Sequence, residues 1–456
     1  MCKSFFVIVL FSSIFTFSQV ELNDSSMIRY IFDEALTNGE CHQNLKELCK
    51  GVGHRISGSD ASYKAIAWGQ KVLKRYALDS IYLQEILVPH WVRGVKERLD
   101  FSSKQIKLYQ SKCLAYGGSV GTNGVLKGNI VEVKSWDELD ELGENKIKGN
   151  FVFYNRPMNP TRLSTFHAYG GCVDQRYWGA VRASKLGAVG VLVRSMTLKQ
   201  DLNPHTGSMT YEGAELKIPS VAISTIDAHN LSEQLKKDKE TEAKMKLGCK
   251  TLPDTISYNV IAEIKGSEFP DKIIVVGGHL DSWDVGEGAH DDGAGIVQSI
   301  EVLKVFKNLG IQPKHTIRCI LYMNEENGNR GGKTYAEMVK NKEEEHIFAI
   351  ETDRGGFTPK GFTVDGTPEQ LTSLQQFEPL LKPYDLFFIK KGFSGVDIGP
   401  LKDGKICLVG LVPDSQRYFD FHHAPSDIFE NVNKRELELG AASLASLIYL
   451  VDEHWK

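Results

Sequence analysis

The stretch KIIVVGGHLDSWDVGEGAHDDGAGIVQSIEVLKVF, residues 272–306, decides the fold class. Lys272 to Val276 is the core of a strand buried on both faces, a short β-branched run rather than an alternation. Ile296, Ile300, Leu303 and Phe306 then recur at helical spacing. Between strand and helix lies a glycine-rich turn that holds His279, Asp281, Asp291 and Asp292. The same alternation continues downstream. Ile317 to Met323, Ile347 to Ile350 and Lys405 to Val412 read as further strands, and Leu437, Leu444, Leu447, Ile448 and Val451 mark a C-terminal helix. Strands that alternate with helices predict an α/β fold, a mostly parallel sheet with helices on both faces.

Upstream, Ala65, Ala67, Val72 and Leu73 give the segment from Ser57 to Tyr76 an amphipathic helical pattern. From Gly121 to Thr251 the character changes: short β-rich runs (Val125 to Val133, Asn150 to Tyr154, Val189 to Val193, Pro219 to Ile223) alternate with glycine, proline and polar turns. This predicts a β-rich domain over 121–251, inserted between two parts of one catalytic unit, 19–120 and 252–456. Residues 1–18 read as a signal peptide, with Lys3 ahead of an apolar stretch from Phe5 to Phe17. That stretch is short of the roughly 20 residues that span a bilayer, and no later segment comes closer. The expectation is a soluble chain exported from the cytoplasm, secreted or periplasmic.

Lys+Arg 54 against Asp+Glu 58 gives a net charge of −4, which argues against a nucleic-acid-binding surface. Removing the leader takes Cys2 with it and leaves seven of the eight cysteines, so at least one has no partner within the chain. Cys319 and Cys407 lie in apolar runs, where a buried thiol acts as a small hydrophobe.

In a sheet of this kind, ligands gather at the carboxyl ends of the strands. Gly277-Gly278-His279-Leu280-Asp281 follows the first strand, Asn324-Glu325-Glu326 the second, and Glu351-Thr352-Asp353 the third. Asp291 and Asp292 stand where the first helix begins, and Phe421-His422-His423-Ala424-Pro425-Ser426-Asp427 adds imidazoles. Any one of these has an ordinary explanation, such as a helix cap or a solvated charge pair. Their joint appearance at successive strand ends points to metal. Imidazole and carboxylate suit zinc, and a set without cysteine also accepts manganese or cobalt. Two ions roughly 3.5–4 Å apart need a shared anionic ligand, a role that suits an aspartate between strand and helix. One glutamate of an adjacent pair can bind metal while the other faces the water as general base. Asp281, two residues after His279, is placed to accept its free ring N–H. Gly117-Gly118-Ser119-Val120-Gly121 has nucleophile-elbow spacing but precedes a β-rich run instead of a helix. Gly286 to Gly295 lacks the Gly-Lys-Ser/Thr ending of a phosphate loop.

The runs GGHLDSWDVGEGAHDDGAG, NEENG, ETDRGG and FHHAPSD resemble the co-catalytic di-zinc exopeptidases that include bacterial leucyl aminopeptidases. The resemblance implies a phosphorylase/hydrolase-like fold, two zinc ions, a homodimer and a peptide substrate with a free amino terminus. It makes the inserted segment, with ASKLGAVGVLV inside it, a protease-associated domain. Carried over by residue, it makes His279 and Asp353 ligands of one ion, Glu326 and His423 ligands of the other, and Asp291 the bridge. Glu325 becomes the general base and Asp281 the partner of His279. The family's last histidine stands four residues before an aspartate, which selects His423 over His422; its bridging aspartate precedes a second acidic residue, which selects Asp291 over Asp292. Arg354 stands where the family has a small residue, a difference that bears on substrate preference. Two other readings use similar motifs. Di-zinc N-acyl amino acid amidohydrolases insert their extra domain after the Glu-Glu pair, and transferrin-receptor-like ectodomains keep the architecture without the ligands.

Overall fold

A computed structural model describes residues 23–105, 108–342 and 344–455; the signal peptide predicted over 1–18 lies outside them. The main sheet runs, in spatial order, Ser80–Val92, Lys250–Ile264, His315–Tyr322, Phe269–His279, Glu345–Glu351, Cys407–Pro413, Pro359–Asp365 and Phe388–Lys391. Its four central strands, from His315–Tyr322 to Cys407–Pro413, are mutually parallel. Lys250–Ile264 and Ser80–Val92 extend the sheet on one side by antiparallel pairing, and Pro359–Asp365 does so on the other. The sheet is therefore mixed, a correction to the mostly parallel arrangement predicted. Connection length is the physical reason. The central strands are joined through helices such as Ala294–Leu309 and Arg330–Lys342, long enough for a parallel crossover. Residues 265–268 alone join Lys250–Ile264 to Phe269–His279, and 352–358 join Glu345–Glu351 to Pro359–Asp365. Links that short contain no crossover helix, so each of these strands enters opposite to the central four.

Helices cover both faces, as expected. Ile274 and Val276 share a core with Ile296 and Ile300 of helix Ala294–Leu309 and with Leu444 and Ile448 of helix Lys434–His454. Ile273 and Val275, the alternate residues, face Tyr335, Ala336 and Val339 of helix Arg330–Lys342. This alternation explains why the strand shows no polar face in the sequence.

The chain leaves the main sheet through Ser80–Val92, forms a second eight-stranded sheet, and returns through Lys250–Ile264. The second sheet has cores of its own, with Phe151, Phe153 and Leu192 on one side and Val152, Tyr154 and Val191 on the other. Its pairings are also mixed. Arg98–Ser102, Tyr109–Ser111 and Cys113–Ala115 belong to it although they precede Gly121; strands this short carry too few residues to reveal an alternation. The two sheets meet at Trp283, whose indole lies over Gly117, where a Cβ would collide with the ring. Trp91 meets the same indole edge-on at 6.5 Å, and Arg93 Nε donates to Asp284 Oδ2 at 2.8 Å. The seven cysteines of the described residues, Cys319 and Cys407 among them, are buried and unpaired.

Candidate metal centre and active site

His279 ends its strand and is fully buried. Its Nδ1 lies 3.0 Å from the main-chain carbonyl of Asp281, a partner that turns Nε2 toward the cavity. There Nε2 stands 3.2 Å from Asp291 Oδ1 and 3.6 Å from Asp353 Oδ1. On the other side, Asp291 Oδ2 lies 3.2 Å from His423 Nε2, which is 3.1 Å from Glu326 Oε2. One carboxylate thus spans two half-sites, His279 with Asp353 and Glu326 with His423. His422 stacks on His423 with ring centroids 3.5 Å apart, and its Nε2 is 3.8 Å from Asp291 Oδ2, farther than that of His423.

Local structure explains which member of each acidic pair faces the cavity. Asp292 is turned back into the backbone, where it accepts the N–H groups of His279 at 3.1 Å and Gly295 at 3.0 Å. Asp427 accepts the N–H groups of His290 and Asp291 at 2.7 and 3.2 Å, which holds the turn from which Asp291 projects. The Trp283 N–H orients Glu326 through Oε1 at 3.1 Å. Asp281 does more than its spacing suggests. Its Oδ1 is 3.8 Å from His279 Nδ1 but accepts the N–H groups of Asn324 at 2.7 Å and Glu325 at 3.1 Å, so the carboxylate holds the Glu325 turn. Arg55, which the motif spacing does not point to, is buried and donates to the carbonyls of Leu280, Glu287 and Gly288 at 2.6, 2.7 and 3.0 Å. It clamps both ends of the ligand-bearing loop.

The electrostatics are those of a cation site. Burial disfavours a charged His279, but Asp291 and Asp353 outweigh it and raise its pKa well above the ordinary range. Burial also opposes charge on His423, yet Glu326 and Asp291 lift it to about 9. Burial, reinforced by Asp291, pushes Glu326 up to about 7. Desolvation, with the Asp353 and Glu326 carboxylates next, holds Glu325 well above the usual carboxylate range. Asp291 Oδ2 and Asp353 Oδ1 are buried and make no hydrogen bond. Buried carboxylate oxygens without donors, facing imidazole nitrogens, fit a divalent cation. The ligand atoms of His279, Asp291 and Glu326 all lie within 4.8 Å of one another.

Comparison with known proteins agrees with this arrangement. The family model "Peptidase family M28" matches residues 259–448, the segment that contains His279, Asp291, Glu326, Asp353 and His423. Bovine carboxypeptidase Q is 33% identical over 412 residues, 90% of this chain and 84% of that protein. The chain belongs to peptidase family M28. An M28 peptidase precursor from Shewanella amazonensis SB2B superposes with a TM-score of 0.90 at 30% identity, covering 95% of this chain and 97% of the other. BSAP, a zinc aminopeptidase from Bacillus subtilis, shares the fold with a TM-score of 0.66 at 20% identity, over 91% and 95% of the two chains. The protein is thus an M28 metallopeptidase related to carboxypeptidase Q.

In this M28 chain the second sheet completes the site. Thr206 donates its N–H to the His423 carbonyl at 2.9 Å, and the Thr206 carbonyl lies 3.3 Å from His423 Nδ1, which leaves Nε2 for the cavity. His205 Nδ1 meets the His422 carbonyl at 2.8 Å. Arg176, 6% exposed, forms no ion pair among the described residues. Its Nε donates to the Ser208 carbonyl at 3.1 Å, while Nη1 is buried without a partner. A Cβ on Gly207 would collide with both Arg176 Nη1 and His423 Nδ1, so the guanidinium lies beside the metal-site imidazole. No motif or spacing in the sequence marks Arg176, because it is brought in by helix Asp174–Tyr177 of the segment that carries the second sheet. Arg354 turns away, donating through Nη2 to the Phe393 carbonyl at 2.8 Å and lying over the Phe166 ring at 5.7 Å. No helix among the described residues is long and apolar enough to cross a membrane.

Proposed function

We propose that this M28 peptidase is a di-zinc exopeptidase acting on dipeptides or short peptides with a free amino terminus. The observation that carries the reading is Asp291, with one oxygen 3.2 Å from His279 Nε2 and the other 3.2 Å from His423 Nε2. His279 and Asp353 would hold one ion, Glu326 and His423 the other, with Asp291 common to both. When bound, such ions supply Lewis acidity that lowers the pKa of water and polarises a carbonyl. The nitrogen and oxygen donor set suits zinc, the metal named for the Bacillus neighbour, and also accepts manganese or cobalt.

Glu325 acts as general base. Its turn is pinned by the Asp281 carboxylate through the Glu325 N–H, so the side chain stands beside the ligand Glu326 without being one. In this role the Glu325 carboxylate takes a proton from the attacking water and delivers it to the leaving amine. Arg176 offers its unpaired Nη1 to an anion, which supports a substrate whose free carboxylate lies near the cleaved bond. A short peptide meets both demands.

The second sheet, as a protease-associated domain, supplies Arg176 and the Thr206 carbonyl. It enters the chain ahead of His279, unlike the arrangement in the amidohydrolases. The complete ligand set speaks against a receptor-like ectodomain. Export after removal of residues 1–18 and a homodimer belong to the same reading. Replacing Glu325 with Gln tests it: metal content should stay at the native level while kcat falls roughly 10²–10⁴-fold. Near-native turnover in that variant would refute the assignment.

A further inference from the structure

A second group of metal-competent side chains lies within the helical layer. Cys41 opens helix Cys41–Gly51, Glu301 sits midway along Ala294–Leu309, and Glu438 is near the start of Lys434–His454. All three are buried, at 0%, 0% and 1% exposure, and their ligand atoms lie within 4.8 Å of one another. Each carboxylate is oriented by a main-chain amide at the amino end of helix Cys41–Gly51. Glu301 Oε2 accepts the Glu40 N–H at 3.1 Å, and Glu438 Oε1 accepts the His42 N–H at 3.2 Å.

One of the remaining carboxylate oxygens is not satisfied. Glu438 Oε2 is buried and has no hydrogen-bond partner. The Cys41 thiol donates a 3.5 Å hydrogen bond to the Val297 carbonyl and lies against the Glu438 carboxylate. Lys304 Nζ lies 2.8 Å from Glu301 Oε1 and 2.6 Å from the Asn38 carbonyl, so it answers Glu301 and leaves Glu438 Oε2 without a partner. A buried carboxylate oxygen without a donor is costly.

We infer that Cys41, Glu301 and Glu438 bind a divalent ion of the zinc class, at a site separate from the co-catalytic set. On binding, the Cys41 S–H bond breaks, the proton passes to solvent, and the thiolate donates its electron pair to the metal; no electron transfer is involved. With the thiolate, two carboxylates, Lys304 and a divalent ion, the cluster is electrically neutral. Sulfur and carboxylate together favour zinc or cobalt over magnesium or calcium. The ion would join the first two helices to Ala294–Leu309 and Lys434–His454, stabilising the folded chain by binding only that state.

Cobalt tests this independently of the catalytic reading, because the co-catalytic residues include no sulfur. Full-length protein produced with Co2+ and treated with chelator should keep one cobalt per chain and show a near-ultraviolet thiolate-to-cobalt charge-transfer band. Among the described residues no other cysteine belongs to such a ligand group. Cys41→Ser should abolish the band, and Glu438→Gln, which preserves shape, should release the chelator-resistant cobalt; peptide hydrolysis should survive both. Folded wild-type protein without the band, or a band that persists in Cys41→Ser, would overturn the proposal.

Discussion

The two ends of the central strands make opposite use of buried charge. At the amino end lies a cleft of about 870 Å³, lined in part by Lys272, His315, Glu344, His346 and Trp455. The charges there are answered. Asp452 accepts the N–H groups of Lys314 and His315 at 2.9 and 2.8 Å and faces His315 Nδ1 at 3.0 Å. Arg318 donates to Glu263 at 2.6 Å, Glu344 at 2.5 Å and the Tyr335 hydroxyl at 2.9 Å. At the carboxyl end, Asp291 Oδ2, Asp353 Oδ1 and Arg176 Nη1 are buried without hydrogen-bond partners. A buried carboxylate oxygen without a donor is costly, and several such groups beside imidazole nitrogens fit a place for a cation.

That contrast can be broken by substitution at either end. The largest effect is expected for His423→Ala, which should lower kcat/KM on the order of 10³-fold or more with partial loss of bound metal. A variant with native metal content and native activity would remove His423 from the site. Arg176→Met should cost roughly 10- to 100-fold in kcat/KM on short peptides with a free carboxyl end, the worth of one hydrogen bond to a charged group. The same peptides as C-terminal amides should be hydrolysed alike by both enzymes, and an equal loss on both would refute carboxylate recognition.

At the amino end the expected losses are of stability. Asp452→Asn should destabilise the fold by roughly 1–3 kcal/mol in denaturant unfolding, because it weakens acceptance of three donors, and leave hydrolysis unchanged. Lost activity in a folded Asp452→Asn protein would mean that the two ends are coupled. The last effect is confined to acid pH. Burial, with Arg318 next, pushes His346 down to about 4, and the Tyr335 hydroxyl lies 2.7 Å from its Nε2. Since an unfolded histidine titrates near 6.5, the unfolded chain binds the extra proton first as pH falls. Stability should therefore decline between pH 6.5 and 4 by about 1.4 kcal/mol per unit from this group. His346→Gln should make that acid-side slope shallower, and an unchanged slope would exclude His346 as its source.

Much of the carboxyl-end site is legible in the sequence because its donors follow consecutive strands of one sheet. Chain order then mirrors spatial order, and the runs at His279, Asp291, Glu325 and Asp353 can be read as neighbours. His423 is legible only through the family resemblance, in which the last histidine stands four residues before an aspartate. The choice of Asp291 over Asp292 acquires a physical basis only from the fold, where Asp292 accepts the His279 and Gly295 N–H groups. Asp281 likewise has a reach that spacing does not show, since its carboxylate meets a turn from the next strand.

By itself the sequence determined the α/β class, the helices on both faces and the residue types that meet at the strand ends. These follow from local periodicity and from side-chain chemistry, which depend on near neighbours along the chain. Only the tertiary structure decided the direction of the flanking strands, the early start of the second sheet at Arg98, and the approach of Arg176 and Thr206 to His423. These depend on contacts between segments far apart in the chain. Such contacts are selected by burial and hydrogen bonding in three dimensions, and leave no period or spacing in the sequence.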